Sequence, residues 1–150
     1  MTPPGRILVV EDQYFVAMDC ELNLQAAGYE CVGLAKAADE AVELAGELHP
    51  DLILMDIRLA NGSDGVDAAT RIYDRFGIRS IFASGHADAV TRREAECAQP
   101  LGWLDKPYTA AVMINVVTAA LQEVLAKRSE AAEPATLCDA VLPLAKVVAS

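Results

Sequence analysis

The sequence predicts an α/β fold in which five parallel strands form one sheet with helices on both faces. Five strand-like segments alternate with five helix-like segments, an order that is typical of parallel sheets with crossover helices. Residues 7–10 and 52–55 are continuous apolar runs, as expected for central strands buried on both faces. The 150 residues suffice for one such domain with a sizeable core.

Each strand is predicted from a short run rich in apolar residues. In chain order, the strands are predicted at residues 6–10, 30–34, 51–55, 80–83 and 101–104. The second strand mixes polar and apolar residues, which favours a position at an edge of the sheet.

The helices are predicted from apolar residues that recur at spacings of three and four. The first helix has one apolar stripe, and Gly28 follows as a stop; the stripe consists of Phe15, Met18, Leu22 and Ala26. The second helix is predicted at residues 37–48 and ends before Pro50. The third follows residues 63–65 and carries Val66, Ala69, Ile72 and Phe76. The fourth, at 87–97, has a weak stripe, and the fifth, at 109–127, carries Met113, Val117, Ala120 and Val124.

The last part of the chain has a different composition. We predict a domain over residues 1–128 and a C-terminal extension over 129–150, of which 129–134 form a linker. Helical spacing then returns at Leu137, Val141, Leu144 and Val148. Pro143 lies inside that stripe, and a proline in a helix interior costs about 3 kcal/mol. The extension is therefore expected to be either a short kinked helix or a loosely ordered tail.

Composition excludes several classes of protein. Apolar residues make up 53% and charged residues 23%, which is typical of a folded domain rather than a disordered chain. No apolar run approaches the roughly 20 residues of a membrane helix, and residues 1–6 lack a signal peptide's apolar region. The net charge of −10 argues against nucleic-acid binding. The four cysteines lack metal-ligand spacing, so we expect a reducing, cytoplasmic location.

Charged side chains follow three of the predicted strands. Glu11 and Asp12 follow the first strand, Asp56 follows the third, and Lys106 follows the fifth. Because the carboxyl ends of parallel strands meet in one crevice, these side chains are expected to form one site. Three acids and a lysine are suited to a divalent cation and a phosphoryl group, and Mg²⁺ fits because it prefers oxygen ligands. Asp56 is the candidate nucleophile, with Ser84 as a hydroxyl donor.

With these motifs, the chain resembles the receiver domains of bacterial two-component response regulators. The resemblance covers about residues 5–128 and is carried by residues 9–13 (VVEDQ), 54–56 (LMD), 82–85 (FASG) and 103–108 (WLDKPY). It implies a flavodoxin-like (βα)5 fold with strand order 2-1-3-4-5. It also implies phosphorylation by a phosphohistidine on a sensor histidine kinase, with Mg²⁺ as cofactor.

The resemblance implies a role for each matching residue. Asp56 corresponds to the phosphoacceptor, Asp12 to the direct magnesium ligand and Glu11 to the second acid. The backbone carbonyl of Arg58 corresponds to the third protein ligand of the metal.

Three further residues match the family. Ser84 corresponds to its hydroxyl residue and Lys106 to its lysine, while Trp103 stands where an aromatic side chain turns inward on activation. Trp103 is therefore interpreted either as a switch or as plain core.

The sequence also departs from the common pattern. The loop after Asp56 lacks the usual proline and is about one residue longer. The stretches at 82–85 and 106–108 resemble a subgroup with a Phe-Ala-Thr-Gly motif, whose members are often single-domain receivers or stress adaptors fed by HWE-type kinases. Arg58 and His86 stand at positions that flank the path of the hydrolytic water, and the alternative is that both are exposed loop side chains.

The sequence therefore predicts a single-domain response regulator, not an enzyme, that changes its protein contacts when Asp56 is phosphorylated. Its downstream partner is undefined, and it is expected to be a monomer or a homodimer without nucleic-acid or membrane contacts. One alternative is a binding module that signals without phosphate. Another is an aspartyl hydrolase of the haloacid dehalogenase type, which needs a second Asp where Arg58 stands.

Overall fold

A computed structural model describes the backbone of residues 4–141 and the side chains of residues 4–130. Its strands are β1 (Arg6–Val10), β2 (Glu30–Ala35), β3 (Leu52–Asp56), β4 (Ser80–Ser84) and β5 (Gly102–Asp105). Its helices are α1 (Tyr14–Ala26), α2 (Ala38–Leu48), α3 (Gly65–Phe76), α4 (Ala89–Ala95) and α5 (Ala110–Val141). Short 3₁₀ turns at Ala60–Gly62 and Glu96–Ala98 complete the described elements.

The five strands form one parallel sheet in the order β2-β1-β3-β4-β5, which confirms the predicted fold class. β2 is an edge strand, as its mixed sequence predicted. The chain reverses its direction of travel across the sheet between β1 and β3, so the carboxyl ends of these two strands border the crevice where ligands bind in such sheets.

Side chains that alternate along each strand enter two separate cores. Leu8 and Ile53 pack with α2, α3 and α4 on one face, whereas Ile7 and Leu52 pack with α1 and α5 on the other. All four side chains are completely buried. Their burial fixes the register of β1 against β3, because a slip by one residue would exchange the two faces.

The predicted apolar stripe of α1 does not face the core. Phe15 is 82% exposed and Leu22 is 59% exposed, while Ala17, Cys20 and Leu24 are buried. Apolar residues occupy both faces of this helix, so their spacing alone did not identify the side that packs on the sheet.

α5 buries the predicted residues but extends further than predicted. Met113, Val117 and Ala120 are buried against the sheet. The helix continues to Val141 through the segment that was expected to be a linker, because residues 130–133 are alanine and glutamate, which are strong helix formers. Residues 142–150, with the rest of the predicted tail helix, lie outside the described residues. The division at residue 128 remains a prediction.

By length and composition alone, the segment Ala110–Glu130 of α5 meets the criteria for a membrane-spanning helix. This differs from the expectation based on apolar runs, because alanine, valine and leucine keep the mean hydropathy of this segment high although polar residues interrupt the apolar run. The helix also packs Met113 and Val117 into a core, and core helices commonly meet the same criteria.

Candidate functional site

Three carboxylates meet at the carboxyl ends of β1 and β3. Oxygen atoms of Glu11, Asp12 and Asp56 all lie within 4.8 Å of one another. Glu11 and Asp56 are only 5% and 6% exposed, and Asp12 is more open to solvent. β1 and β3 are hydrogen-bonded neighbours, and this pairing brings together acids that are 44 or more positions apart in sequence.

Lys106, the first residue after β5, reaches this cluster. Its Nζ atom lies 3.1 Å from Asp56 Oδ2 and 3.2 Å from Glu11 Oε1. Burial alone would lower the pKa of Lys106, but its hydrogen bonds and ion pairs with Asp56 and Glu11 raise that pKa above its ordinary value. Lys106 therefore remains charged and offsets part of the negative charge.

The raised pKa of Glu11 indicates that Lys106 offsets only part of the negative charge of the cluster. Burial and the charge of Asp56 raise the pKa of Glu11 to about 7, although the backbone N–H of Gln13 and the charge of Lys106 lower it. Two buried carboxyl groups and a third nearby thus share one ammonium group. This donor set of clustered oxygens fits a hard divalent cation such as Mg²⁺.

The loop after β3 forms hydrogen bonds to the Asp56 side chain and between its own backbone groups. The backbone N–H of Arg58 donates to Asp56 Oδ1 at 3.4 Å, and Arg58 forms an antiparallel bridge with Asp64. The Gly65 N–H donates to the carbonyl of Ile57 at 2.7 Å, next to Asp56. This closure places the Arg58 backbone beside the carboxylate cluster.

Gly65 is a site residue to which the sequence analysis assigned no role. A Cβ atom at this position would lie 2.0 Å from the backbone carbonyl oxygen of Asp56. The Asp-Gly pair at residues 64–65 signals a turn or helix start in sequence. This pair gives no indication that the backbone of β3 approaches the glycine so closely.

Ser84 ends β4 on the other side of Asp56. Its Oγ accepts a hydrogen bond from the backbone N–H of His86 at 3.0 Å, and its carbonyl accepts one from the backbone N–H of Lys106 at 2.8 Å. A cavity of about 310 Å³ opens between these groups and Asp56. It is lined by Asp12, Gln13, Asp56, Ile57, Arg58, Ser84, Gly85, His86 and Lys106.

Trp103 does not line this cavity. Its ring centroid lies 5.0 Å from that of Phe82, and the side chain is half-buried against the core on the α2–α4 face of the sheet. Asp12, Asp56, Arg58, Ser84 and Lys106 line one cavity, the buried Glu11 contacts Lys106, and Trp103 lies beneath α4.

The amino-acid sequence is similar to those of known regulatory proteins. A family profile described as response regulator receiver domain matches residues 7–118. The chain is 35% identical over 116 residues to the phyllosphere-induced regulator PhyR of Methylorubrum extorquens, covering 77% of this chain and 43% of PhyR. It is 37% identical over 135 residues to the transcriptional regulatory protein PdtaR of Mycobacterium tuberculosis, covering 86% of this chain and 64% of PdtaR. The chain therefore spans less than two thirds of either relative.

A solved structure shows the same fold. The signal receiver domain of a modulated diguanylate cyclase from Desulfovibrio desulfuricans superposes with a TM-score of 0.76 at 30% sequence identity. The match covers 83% of this chain and 98% of that receiver domain.

Proposed function

Because the chain belongs to the family of response regulator receiver domains, we propose that Asp56 accepts a phosphoryl group from a sensor histidine kinase in a Mg²⁺-dependent reaction. The observation that carries the proposal is the position of Asp56, a buried carboxylate 3.1 Å from Lys106 that borders an open cavity. The family functions in two-component signal transduction.

In the proposed reaction, a carboxylate oxygen of Asp56 attacks the phosphorus atom of a phosphohistidine. The new oxygen–phosphorus bond forms as the nitrogen–phosphorus bond breaks, and the electron pair leaves with the histidine. Lys106 then pairs with a phosphoryl oxygen instead of Glu11, and the Ser84 hydroxyl donates a hydrogen bond to another. The catalysis consists of positioning, which is supplied by groups that border Asp56, and of charge neutralisation, to which Lys106 contributes.

Glu11, Asp12, Asp56 and the backbone carbonyl of Arg58 would hold the Mg²⁺ ion. When bound, the cation supplies positive charge that lets an anionic carboxylate approach an anionic phosphoryl group. Glu11, Asp12 and Asp56 carry three formal negative charges against the one positive charge of Lys106, so the lysine alone leaves the site too negative for such a donor.

We expect transfer from acetyl phosphate to depend on the cation. With Mg²⁺, intact-mass spectrometry should detect one added phosphoryl group per chain, and with excess EDTA the initial rate should fall by about 100-fold, comparable to the loss of a main electrostatic stabiliser. Restoring Mg²⁺ should restore the rate and serves as the control. Equal rates with and without the metal would contradict the Mg²⁺ requirement, and no phosphoryl mass in either condition would favour a module that signals without phosphate.

Phosphorylation would act through protein contacts. We assign the receiver to residues 1–128 and propose that the chain acts as a response regulator in the cytoplasm, as a monomer or homodimer. Its donor would be a kinase of the HWE type, in keeping with the motif subgroup that residues 82–85 and 106–108 resemble. The phosphorylated form would bind a downstream protein, and the only catalysis would be its own phosphorylation and slow dephosphorylation.

Arg58 is proposed to shield the acyl phosphate from water, since it lines the cavity at Asp56. We expect Arg58→Ala to shorten the lifetime of the phosphorylated form about threefold, while the backbone carbonyl that would bind the metal is retained. Decay of the phosphorylated mass after removal of acetyl phosphate measures this lifetime. Arg75→Ala, at an exposed arginine near the far end of α3, is the control. An unchanged lifetime in Arg58→Ala would contradict the shielding role.

A further inference from the structure

Arg92 of α4 makes two contacts with β5 away from the acidic cluster. The carbon of its guanidinium lies 4.4 Å from the centroid of the Trp103 ring, a cation–π geometry. The same guanidinium lies 3.8 Å from Asp105 Oδ1. Because both side chains of this ion pair are well exposed, the stack on the half-buried Trp103 is the stronger of the two contacts.

α4 is short and mostly exposed. Among its own residues, Ala95 at the C-terminal end is the buried side chain, and Val90 near the beginning is 59% exposed. Its N-terminus is capped locally, since the Asp88 carboxylate accepts the backbone N–H of Thr91. Arg92 therefore supplies an ion pair and a ring contact between this short helix and the sheet.

The partners of Arg92 are connected to the proposed phosphorylation site through the backbone. Asp105 pairs with Ser84 in the register of β4 and β5, and Trp103 pairs with Phe82. Asp105 directly precedes Lys106, which would change partner when Asp56 is phosphorylated. The loop of residues 85–88 joins Ser84 to α4, and the His86 N–H bonds to the Ser84 hydroxyl. A shift of Ser84 or Lys106 thus reaches both sides of the Arg92 contact.

We propose that Arg92 is a latch that holds α4 on Trp103 in the resting protein and that this contact opposes phosphorylation of Asp56. The coupling half of this proposal rests on the proposed function, whereas the latch itself is a property of the unphosphorylated chain. Arg92 is a positioning residue, since it acts through Trp103 and α4 rather than on the phosphoryl group. By linkage, loss of the latch should also favour phosphorylation.

The latch is tested in unphosphorylated protein by comparing wild type with Arg92→Ala, Arg92→Lys and Arg93→Ala. Arg93 is the matched control, because it is the exposed next residue and forms no ion pair or ring contact within residues 4–130. Trp103 is the single tryptophan of the chain, so acrylamide quenching of the tryptophan emission reports on the exposure of this ring. We expect quenching of Trp103 and amide exchange over residues 89–95 to increase about fivefold in Arg92→Ala, as for loss of one partly desolvated cation–π contact.

Arg93→Ala should match wild type, and Arg92→Lys should recover part of the protection because it keeps the cation. If quenching and amide exchange in Arg92→Ala equalled those of wild type, the proposed latch would be contradicted. An equal change in Arg93→Ala would also contradict it.

The coupling is tested with acetyl phosphate and Mg²⁺, with added phosphoryl mass as the readout. We expect Arg92→Ala to be phosphorylated about threefold faster than wild type, and phosphorylated wild type to show the Trp103 quenching of unphosphorylated Arg92→Ala. If Arg92→Ala loosened α4 but were phosphorylated at the wild-type rate, the proposed coupling would be contradicted. If no protein gained phosphoryl mass, the proposed function and the coupling would both fail, while the exchange data would still decide whether the latch exists.

Discussion

Asp56→Asn is expected to abolish phosphoryl labelling while leaving the protein folded. The amide has nearly the shape of the carboxylate but lacks the nucleophilic anionic oxygen, so no acyl phosphate can form at this position. The substitution also removes one of two buried charges that share Lys106, which relieves repulsion with Glu11 as it weakens the lysine pair. We therefore expect labelling to fall at least about 1000-fold, into the background of acetyl phosphate chemistry.

The measurement is incorporation of phosphoryl mass from acetyl phosphate with Mg²⁺, accompanied by thermal unfolding of each protein. Asp74→Asn is the matched control, because Asp74 is an exposed acid on α3 far from the carboxylate cluster. The control should be labelled at the wild-type rate. Labelling of Asp56→Asn at that rate would show that the acceptor lies elsewhere, and the assignment of Asp56 would fail.

Gly65→Ala is expected to damage both stability and phosphorylation. The added Cβ would lie 2.0 Å from the carbonyl oxygen of Asp56 and 2.9 Å from the Cα atom of Ile57. Both are backbone atoms, so no flexible side chain can move aside, and the first turn of α3 must separate from the end of β3. We expect a loss of about 3 kcal/mol in the free energy of unfolding, at the upper end of overpacking effects.

The displaced backbone carries the acceptor, so phosphorylation of the molecules that remain folded should slow by about tenfold or more, as expected for a misplaced reacting group. Urea unfolding and the labelling assay measure the two effects separately. Gly85→Ala is the control for stability, because a Cβ atom there meets no atom within 4 Å. If Gly65→Ala were as stable as Gly85→Ala, the close approach of α3 to β3 would not constrain this protein.

The parallel fold and the cluster of charged residues were predictable because both depend on chain order and residue type. Apolar runs of strand length predicted β1 and β3. A residue that directly follows a strand of a parallel sheet lies at the carboxyl edge of that sheet. Glu11, Asp12, Asp56 and Lys106 therefore had to converge once the sheet was parallel. The motifs shared with receiver domains then predicted a role for each of these residues.

Other features depended on contacts between segments that carry no mutual signal in sequence. The buried face of α1 was mispredicted because apolar residues cover both sides of that helix, and packing against the sheet alone selects Cys20 and Leu24 over Phe15. The end of α5 differs from the prediction because the alanines and glutamates of residues 130–133 favour a helix within a segment whose composition is typical of a linker.

By itself, the sequence predicted the parallel sheet and the acids and lysine at its carboxyl edge, because strand patterning and chain direction are local properties, whereas the strand order was implied by the family resemblance. Only the tertiary structure decided that Lys106 spans Asp56 and Glu11, that Gly65 lies against the acceptor backbone and that Arg92 covers Trp103. Those contacts are set by distances of a few ångströms between elements distant in sequence, and the packing of both helical layers on the sheet fixes them.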